Sequence, residues 1–352
     1  MASQSKNFPL VTIIIPALNE EKHIQACINS LIEQDYPAER LEILVIDGMS
    51  EDRTALLVQA LSTPQPMIKL LSNPHRIIPA ALNIGIASAE GDIIMRADAH
   101  TRYEADYVRR SVKLLQMTEA ANVGGVITPV GRGLIGRVIA IAVCSPFGVG
   151  NAYYRFASKP MWVDTVAFGC WWKKTLIDIG GFNENYVANE DYELNYRLRA
   201  SGGKILLDPG LKCRYVSRDS LGKLFRQYFF YGQYKVRMLG EYPESMVPRQ
   251  AAAPVFVFCL AAAVAISALS SWPLVFLSVA YLAAGVIFCQ RTECRRNLVR
   301  TPLLLLTYLT IHCAWGTGFW YGMKKFGIPK FHKIRFARLA SRPQPAQMQA
   351  GR

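Results

Sequence analysis

Acidic side chains follow two apolar runs near the start of the chain, in the arrangement of a ligand site. The first run, VTIIIPALNEE, covers residues 11–21, and the second, LEILVIDGMSED, covers residues 41–52. Short β-branched runs of this kind are typical of buried parallel strands, and open α/β sheets bind ligands at the carboxyl ends of those strands. The GxGxxG fingerprint of dinucleotide enzymes does not follow the first run. The pattern therefore predicts a nucleotide site in which carboxylates provide the recognition.

A second pair of ligand-type residues occurs in the sequence DAH. Residues 92–97, DIIMRA, predict another strand, and Asp98 and His100 follow it at positions i and i+2. Two such side chains at a strand end point to the same side and can hold one divalent cation or one sugar phosphate. The same spacing also suits an ordinary polar turn. The sequence leaves both interpretations open.

A third acidic pair, Glu190 and Asp191, opens a predicted helix. Residues 164–200 predict a strand, a turn at Gly-Cys-Trp-Trp, a short helix that ends at Gly180 and Gly181, and a second helix that begins at the acids. Carboxylates in the first turn of a helix can simply offset the helix dipole. They can also serve as a general base.

The elements that must position these acids alternate between strand and helix. Asn19 is suited to cap a helix whose apolar residues repeat at helical spacing over residues 24–31. Ile68–Ser72 predicts a strand and residues 79–89 a helix. A strand, a crossover helix and a parallel strand form a right-handed βαβ unit. We therefore expect an α/β domain over residues 1–245.

The C-terminal third predicts a membrane anchor. Residues 251–290 hold no charged residue, and a Trp-Pro pair divides them into two apolar stretches of about 18 residues, the lower limit for a bilayer span. Residues 301–323 form a third uncharged stretch, in which Gly316 and Gly318 permit a break. We expect two to three helices over residues 251–323. A buried helical hairpin of a globular protein is the alternative.

The formal charge of +14 is concentrated beside those apolar stretches. Residues 291–300 carry four arginines against one glutamate, and residues 324–342 carry seven Lys and Arg residues with no acid. Basic segments next to spans favour the cytosolic side and contact with anionic lipid, so a nucleic-acid partner is not expected. Three full spans would place the two segments on opposite faces, which favours an interfacial or re-entrant path for the third stretch. The tail, residues 324–352, is predicted to be basic and partly disordered.

The compartment follows from the cysteines and the N-terminal sequence. The eight cysteines show no CxxC pair, and MASQSKNFPL lacks the regions of a signal peptide. We expect a reduced, cytosolic domain attached to a bacterial inner (cytoplasmic) membrane, with no zinc site and no disulfide framework.

The order of these pieces resembles the inverting family 2 glycosyltransferases, which have the GT-A fold, a Rossmann-like mixed sheet flanked by helices. The set reads PALNEE, DGMSED, NPHRIIPAALNIGIASAEGD, DAH in the place of an Asp-x-Asp, GGFNE and NED, and it covers about residues 8–240. The DAHT variant and the stretch SPFGVGNAYYR at residues 145–155 are most similar to the glucosyltransferases of succinoglycan-type exopolysaccharide assembly.

The resemblance implies roles for individual residues. Asp191, next to Glu190, would be the general base, and Asp98 with His100 would hold a divalent cation, Mn²⁺ or Mg²⁺. Because His100 stands where the family usually has a second aspartate, Mn²⁺ suits the site better than Mg²⁺. The implied nucleotide-binding residues are Pro16, Ala17, Glu20, Asp47, Ser50, Asp52, Arg76, Asp98, Arg226 and Gln227.

The activity implied is inverting transfer of a hexose, expected to be glucose from UDP-glucose, to a polyprenyl-diphosphate-linked saccharide at the inner membrane lipid. A displacement at the anomeric carbon needs a carboxylate to accept the hydroxyl proton, and a cation with arginine to stabilise the leaving diphosphate. Two alternatives remain. One is a polyprenyl-phosphate sugar synthase, and the other is a non-catalytic membrane protein that binds sugar nucleotide.

Overall fold

The chain forms two compact units. A computed structural model describes residues 8–65, 67–292 and 299–330. Among these, the first unit comprises 8–128 and 157–215, and the second comprises 129–156 and 216–330. The second unit thus takes in residues that the predicted division placed with the α/β domain. The predicted tail from residue 331 onward, and residues 293–298 of the first basic segment, lie outside the described residues.

The first unit is built on a mixed sheet. Its strands are β1 (Val11–Ala17), β2 (Leu41–Asp47), β3 (Ile68–Ser72), β4 (Ile93–Arg96), β5 (Thr101–Tyr103), β6 (Ala120–Val130), β7 (Met161–Trp162), β8 (Cys170–Trp172) and β9 (Lys204–Val216). Within the described residues the order is β3-β2-β1-β4-β8-β6-β9-β5, and β7 also pairs with β9. The four strands β1 to β4 are parallel, and β8 joins β4 in the antiparallel direction.

Helices flank the sheet and also make up most of the second unit. In chain order they are α1 (Ile24–Ile32), α2 (Thr54–Ser62), α3 (Ile78–Ser88), α4 (Tyr107–Met117), α5 (Gly133–Ala142), α6 (Pro146–Val149), α7 (Lys173–Asp178), α8 (Glu190–Ala200), α9 (Leu221–Glu241), α10 (Pro248–Ile266), α11 (Trp272–Cys289) and α12 (Arg300–Phe326). The predicted strands β2, β3 and β4, the predicted helix α3 and the predicted start of α8 are confirmed, to within one residue at each end.

One buried cluster joins the parallel strands to the helix that carries the acidic pair. Ile14, Leu44 and Ile94 come from three adjacent strands, and Leu194 and Leu198 of α8 belong to the same cluster. All five side chains are almost completely buried. Burial of each contributes about 1.5–3 kcal/mol, so α8 is held firmly to the sheet.

Residues 164–169 form no strand, although one was predicted at the start of that segment. Two further local predictions are wrong. Helix α1 begins at Ile24, and Asn19 does not cap it, since Asn19 has a left-handed φ of 56° and accepts a hydrogen bond from the Glu51 amide at 2.9 Å. The sequence Cys-Trp-Trp forms strand β8 in place of a turn, with Cys170 paired to Met95. In both cases pairing with a distant segment outweighs the local preference.

The second unit is held together by close helix packing at glycines. A Cβ atom on Gly232 of α9 would collide with the Trp315 carbonyl, and one on Gly318 of α12 would collide with the Phe229 carbonyl. On another side of α12, Gly316 lies against Ala253 of α10. The two α12 glycines do not break that helix, which runs unbroken for 27 residues. They allow neighbouring backbones to approach.

The short helix α6 inserts one aromatic ring among the long helices of this unit. The Phe147 ring lies 5.0–5.5 Å from the ring centroids of Tyr281, Phe288, Tyr308 and His312. The Phe147 carbonyl accepts a hydrogen bond from His312 Nε2 at 2.8 Å, and the Tyr281 hydroxyl lies 2.8 Å from His312 Nδ1. The segment that carries Phe147 is therefore fixed to α11 and α12.

Two helices, α10 and α11, are long and apolar enough to cross a membrane by length and composition. Few of their residues are buried within the protein. In contrast, α12 buries Leu304, Tyr308, Ile311 and Ala314 in the core of the second unit.

The packing of α9 against α12 predicts a large effect of a single methyl group. Gly232→Ala should lower the free energy of unfolding by about 1–3 kcal/mol, the usual effect of overpacking, because the Trp315 carbonyl must move. Gly240→Ala is the matched control, since a Cβ atom there, on the same helix, meets nothing within 4 Å. Thermal unfolding of the full chain in detergent measures both. Equal melting temperatures for the two variants would contradict this packing.

Candidate active site

The predicted ligand residues meet at the carboxyl edge of the parallel strands. In the strand register Ala17 lies opposite Asp47, and Asp98 follows the end of β4 by two residues. His100 Nδ1 lies 3.3 Å from Glu20 Oε1. This contact joins the loop after β1 to the turn after β4. Pro16 and Ala17 form the end of β1, at the same edge. Residues of three separate sequence motifs are thus brought together.

A buried arginine, which the sequence analysis did not predict as a site residue, connects the predicted acids Asp98 and Glu190. Arg96 is the last residue of β4, and only 7% of its side chain is exposed. Its Nε donates to Asp98 Oδ1 at 3.0 Å and its Nη1 donates to Glu190 Oε1 at 2.9 Å. Burial opposes its charge, but the neighbouring acids raise the pKa of Arg96 above its usual value. The guanidinium therefore stays charged.

Asp191 lies beside this bridge and is partly exposed. Burial raises its pKa to about 6, and the negative charge of Glu190 acts in the same direction. The charge of Arg96 and a hydrogen bond from the Tyr192 amide, at 2.7 Å, act in the opposite direction. A carboxylate with a pKa near neutrality can accept a proton from a substrate and release it again, which suits a general base.

The loop before Asp191 is braced from two sides. The Asn83 side chain accepts a hydrogen bond from the Phe182 amide at 2.8 Å and donates to the Phe182 carbonyl at 2.9 Å. On the other side Arg197 donates to the carbonyls of Ile179 and Gly181 at 2.6 and 2.7 Å. The start of α8 therefore has a fixed position.

Asp47 is a buried acid of the second motif, and one of its two carboxylate oxygens is distinctive. Only 9% of the residue is exposed, and its Oδ2 accepts a hydrogen bond from the Ser50 amide at 3.1 Å. Among the described residues its Oδ1 has no hydrogen-bond partner. A buried, unsatisfied carboxylate oxygen is unfavourable unless a ligand supplies a donor. A base or ribose group of a nucleotide can do so.

Two of the predicted nucleotide-binding residues connect the loops around the site. Ser50 Oγ accepts a hydrogen bond from the Asn19 amide at 2.9 Å. The carboxylate of Asp52 accepts from the Glu21 amide at 3.1 Å and from the Thr54 amide at 2.9 Å. These bonds hold the loop after β1 against the loop after β2, and so help to fix the shape of the site.

The remaining predicted residues make other contacts. Arg76, in the loop after β3, is exposed and forms an ion pair with Glu51 at 2.9 Å. Arg226 and Gln227 belong to α9 of the second unit, where Gln227 Nε2 donates to the Tyr231 hydroxyl at 2.9 Å and Arg226 is exposed.

Backbone strain is concentrated in the loops at this edge. Asn19, Met49, Arg76 and Asn189 have φ values of 56°, 61°, 58° and 64°. They follow β1, β2 and β3, or precede α8. Left-handed conformations of non-glycine residues cost about 1–3 kcal/mol each and are enriched at functional sites.

Asp98 and His100 fit a cation that arrives with a phosphate ligand. Among the described residues no group of three His, Cys, Asp or Glu side chains could hold a metal ion. Asp98 Oδ1 is engaged by Arg96, whereas its Oδ2 accepts no hydrogen bond within the described part of the chain. Divalent cations are often held by one or two protein ligands together with substrate phosphates and water.

Known proteins are similar to this chain over most of its length. The family described as Glycosyl transferase family 2 matches residues 12–173. The succinoglycan biosynthesis protein ExoA of Rhizobium meliloti is 30% identical over 320 residues, which cover 89% of this chain and 95% of that protein. Dolichyl N-acetyl-alpha-D-glucosaminyl phosphate 3-beta-D-2,3-diacetamido-2,3-dideoxy-beta-D-glucuronosyltransferase of Methanococcus voltae is 29% identical over 237 residues, 65% of this chain and 74% of that protein.

A solved structure shows the same fold. The mannosyltransferase PcManGT from Pyrobaculum calidifontis, in complex with GDP-Man and Mn²⁺, superposes with a TM-score of 0.53 at 21% sequence identity. The match covers 90% of this chain and 85% of that chain.

The raised pKa of Asp191 predicts a pH dependence of stability. Between the usual value of 3.8 and about 6 the folded protein holds more protons on this group than the unfolded chain does. The stability it contributes is therefore full below about pH 4 and is lost as the pH rises through 6, by at most about 3 kcal/mol. Asp191→Asn should remove this term. Thermal unfolding of both proteins from pH 4.5 to 7.5 measures the difference, and a constant difference would contradict the shift.

Proposed function

The chain belongs to glycosyl transferase family 2, and from this premise we propose that it transfers glucose from UDP-glucose, with inversion, to a polyprenyl-diphosphate-linked saccharide during exopolysaccharide synthesis. The predictions of the family, of a glycosyltransferase and of the GT-A fold are confirmed. The donor, the acceptor and the residue roles belong to the proposal. The observation that supports it most is the bridge from Asp98 through Arg96 to Glu190, because it connects the edge proposed to bind the nucleotide with the residue next to Asp191, the proposed base.

The donor side of the proposal rests on carboxylates. Asp47, with its unsatisfied buried Oδ1, is suited to accept a hydrogen bond from the uracil or ribose. Asp98 and His100 would hold a divalent cation, which would stabilise the charge of the leaving diphosphate. Glu20 supports His100 through their 3.3 Å contact.

The reaction is a single displacement. As the acceptor oxygen forms a bond to the anomeric carbon, the bond from that carbon to the diphosphate oxygen breaks and UDP leaves. Asp191, as carboxylate, takes the hydroxyl proton. Attack from the face opposite the leaving group inverts the configuration, so an α-linked donor gives a β-linked product. The buried Glu190 keeps its hydrogen bond to Arg96 and positions the base.

The acceptor and location are supported by relatives and by the apolar helices. ExoA of Rhizobium meliloti is described as a succinoglycan biosynthesis protein, and the relative from Methanococcus voltae is named for a dolichyl-phosphate-linked substrate. Helices α10 and α11 are long and apolar enough to span a bilayer. We infer that the enzyme acts at the cytosolic face of a bacterial inner membrane, where sugar nucleotide and lipid-linked acceptor are both present.

The alternatives have less support. A polyprenyl-phosphate sugar synthase uses a phosphate nucleophile, which already has a deprotonated oxygen at neutral pH, so it would not need Asp191 as a general base. A protein that only binds sugar nucleotide would not need that base either.

The activity predicts a specific effect of Asp191→Asn. Membranes that contain the wild-type protein, given labelled UDP- and GDP-sugars and lipid-linked acceptors, should form a β-linked product from UDP-glucose. The variant should bind UDP with unchanged affinity but turn over about two to four orders of magnitude more slowly, as expected on loss of a general base. Product analysis with UDP-binding calorimetry measures both quantities. Near-normal turnover of the variant would remove Asp191 from the mechanism.

The cation proposal predicts that activity depends on the ligand at position 100. Excess chelator should abolish activity, and added Mn²⁺ should restore it. His100→Ala should raise the Mn²⁺ concentration needed for half-maximal activity, whereas His100→Asp should restore binding and favour Mg²⁺, since carboxylate suits the harder ion. Titration of activity and of UDP binding with each metal tests this. Full activity of the wild type in chelator would refute it.

Membrane topology gives an independent prediction. If α10 and α11 form a two-span hairpin, a cysteine at Leu269, which is 92% exposed between them, should react with an impermeant reagent in intact spheroplasts. A cysteine at Ile328, after α12, should react only once the membrane is opened, because we expect α12 to stay on the cytosolic side. Labelling of both positions from outside would show that α12 spans.

A further inference from the structure

Arg96 contacts both sides of the proposed reaction, although no step uses it. Its Nε donates to Asp98 on the donor side, and its Nη1 donates to Glu190, which directly precedes the proposed base Asp191. We propose that Arg96 is a positioning residue that fixes the base relative to the donor, so that the acceptor hydroxyl is held in line with the anomeric carbon. The inference rests on the proposed function.

The backbone of Arg96 is a rigid reference point. Arg96 lies opposite Ile14 in the pairing of β4 with β1, and its amide donates to the Gly169 carbonyl at 3.0 Å. The sheet therefore holds this residue on both sides. Its partners lie outside the sheet, since Asp98 is in the turn after β4 and Glu190 is in the first turn of α8. The guanidinium ties both of those elements to the strand.

The two contacts differ in their access to solvent. The side chains of Arg96 and Glu190 are 7% and 8% exposed, so water cannot easily replace that contact. The Asp98 side chain is 20% exposed, which leaves it open to a ligand. The contact to Glu190 is therefore shielded from water, whereas the Asp98 carboxylate faces the donor side of the site.

A guanidinium is needed for this geometry. It is planar and presents donors in fixed directions, so one side chain can hold two carboxylates at a set separation. A lysine ammonium keeps the charge but carries no fixed fork of donors. Arg96→Lys therefore changes positioning and leaves the charge in place. Keeping the charge separates the effect of position from that of charge, because the charges of Glu190, Arg96 and Asp98 all act on the pKa of Asp191.

Loss of alignment should affect two reactions unequally. In transfer, the acceptor oxygen forms the bond to the sugar carbon, the diphosphate bond breaks, and the base takes the hydroxyl proton. In hydrolysis, water replaces the acceptor, and free sugar, UDP and the same proton result. Water is small and can approach in many orientations, whereas a bound saccharide cannot. A misplaced base should therefore slow transfer more than hydrolysis.

The test uses the full chain in detergent with labelled UDP-glucose and a polyprenyl-diphosphate-linked hexose. Arg96→Lys should bind UDP within about threefold of wild type, while kcat for transfer falls about a hundredfold and the ratio of transfer to hydrolysis falls at least about tenfold. A merely structural role would reduce the amount of folded enzyme without changing that ratio. Product and free-glucose release, measured on folded protein of known concentration, give both rates.

Glu190→Gln removes the negative charge at the other end of the same bridge, and it is the second variant if Arg96→Lys does not fold. In the double variant the losses should not add, because both substitutions disturb one contact. The matched control is Arg110→Lys, which alters another arginine–carboxylate contact, to the buried Asp208. That variant should keep the wild-type ratio.

The outcomes separate the inference from the proposed function. An unchanged ratio in both Arg96→Lys and Glu190→Gln, or additive losses in the double variant, would overturn the positioning role while the wild type still transfers sugar. A parallel loss of UDP binding in Arg96→Lys would make Arg96 a donor-binding residue and also overturn it. A wild-type protein that neither binds nor consumes a sugar nucleotide would overturn both.

Discussion

Arg96 donates hydrogen bonds to two carboxylates that belong to different parts of the first unit, and most of the site geometry depends on that arrangement. Two carboxylates share one buried guanidinium, so removal of the arginine would leave both without their counter-charge. Loss of one partner from a buried ion pair typically costs about 3–5 kcal/mol. The pair is therefore better understood as a geometric constraint than as a source of stability. Strand β4, the turn at Asp98 and the start of α8 must assemble together for both hydrogen bonds to form.

The surrounding structure maintains this constraint at some energetic cost. Asn189 is left-handed immediately before α8, and Asn83 and Arg197 hold the preceding loop by its backbone. The buried Leu194 and Leu198 attach the same helix to the sheet. Local strain is thus offset by hydrogen bonds and apolar contacts a few residues away, which is how an acidic group with a raised pKa can be kept in a fixed place.

The sequence predicts the parts of this site that depend on local pattern and topology. Strands β2 and β3 end at the predicted residues, and the parallel order of β1, β2 and β4 brings Asp47 and Asp98 to one edge, as expected. Arg96 could not be assigned, because its partner Glu190 is 94 residues away and its position in an apolar strand gives only a weak signal. Strand β8 was missed for the same reason, since its pairing partners lie in distant segments.

The position of Phe147 has a consequence for biosynthesis. Its hydrogen-bond partner in the second unit, His312, lies 165 residues later in the sequence. At about 5–20 residues per second, a ribosome needs roughly 10–30 s to reach it. Over that interval the chain between β6 and β7 has no α11 or α12 to pack on, while the strands on either side of it can already pair. The apolar side chains of this segment therefore lack their packing partners until the last helix emerges.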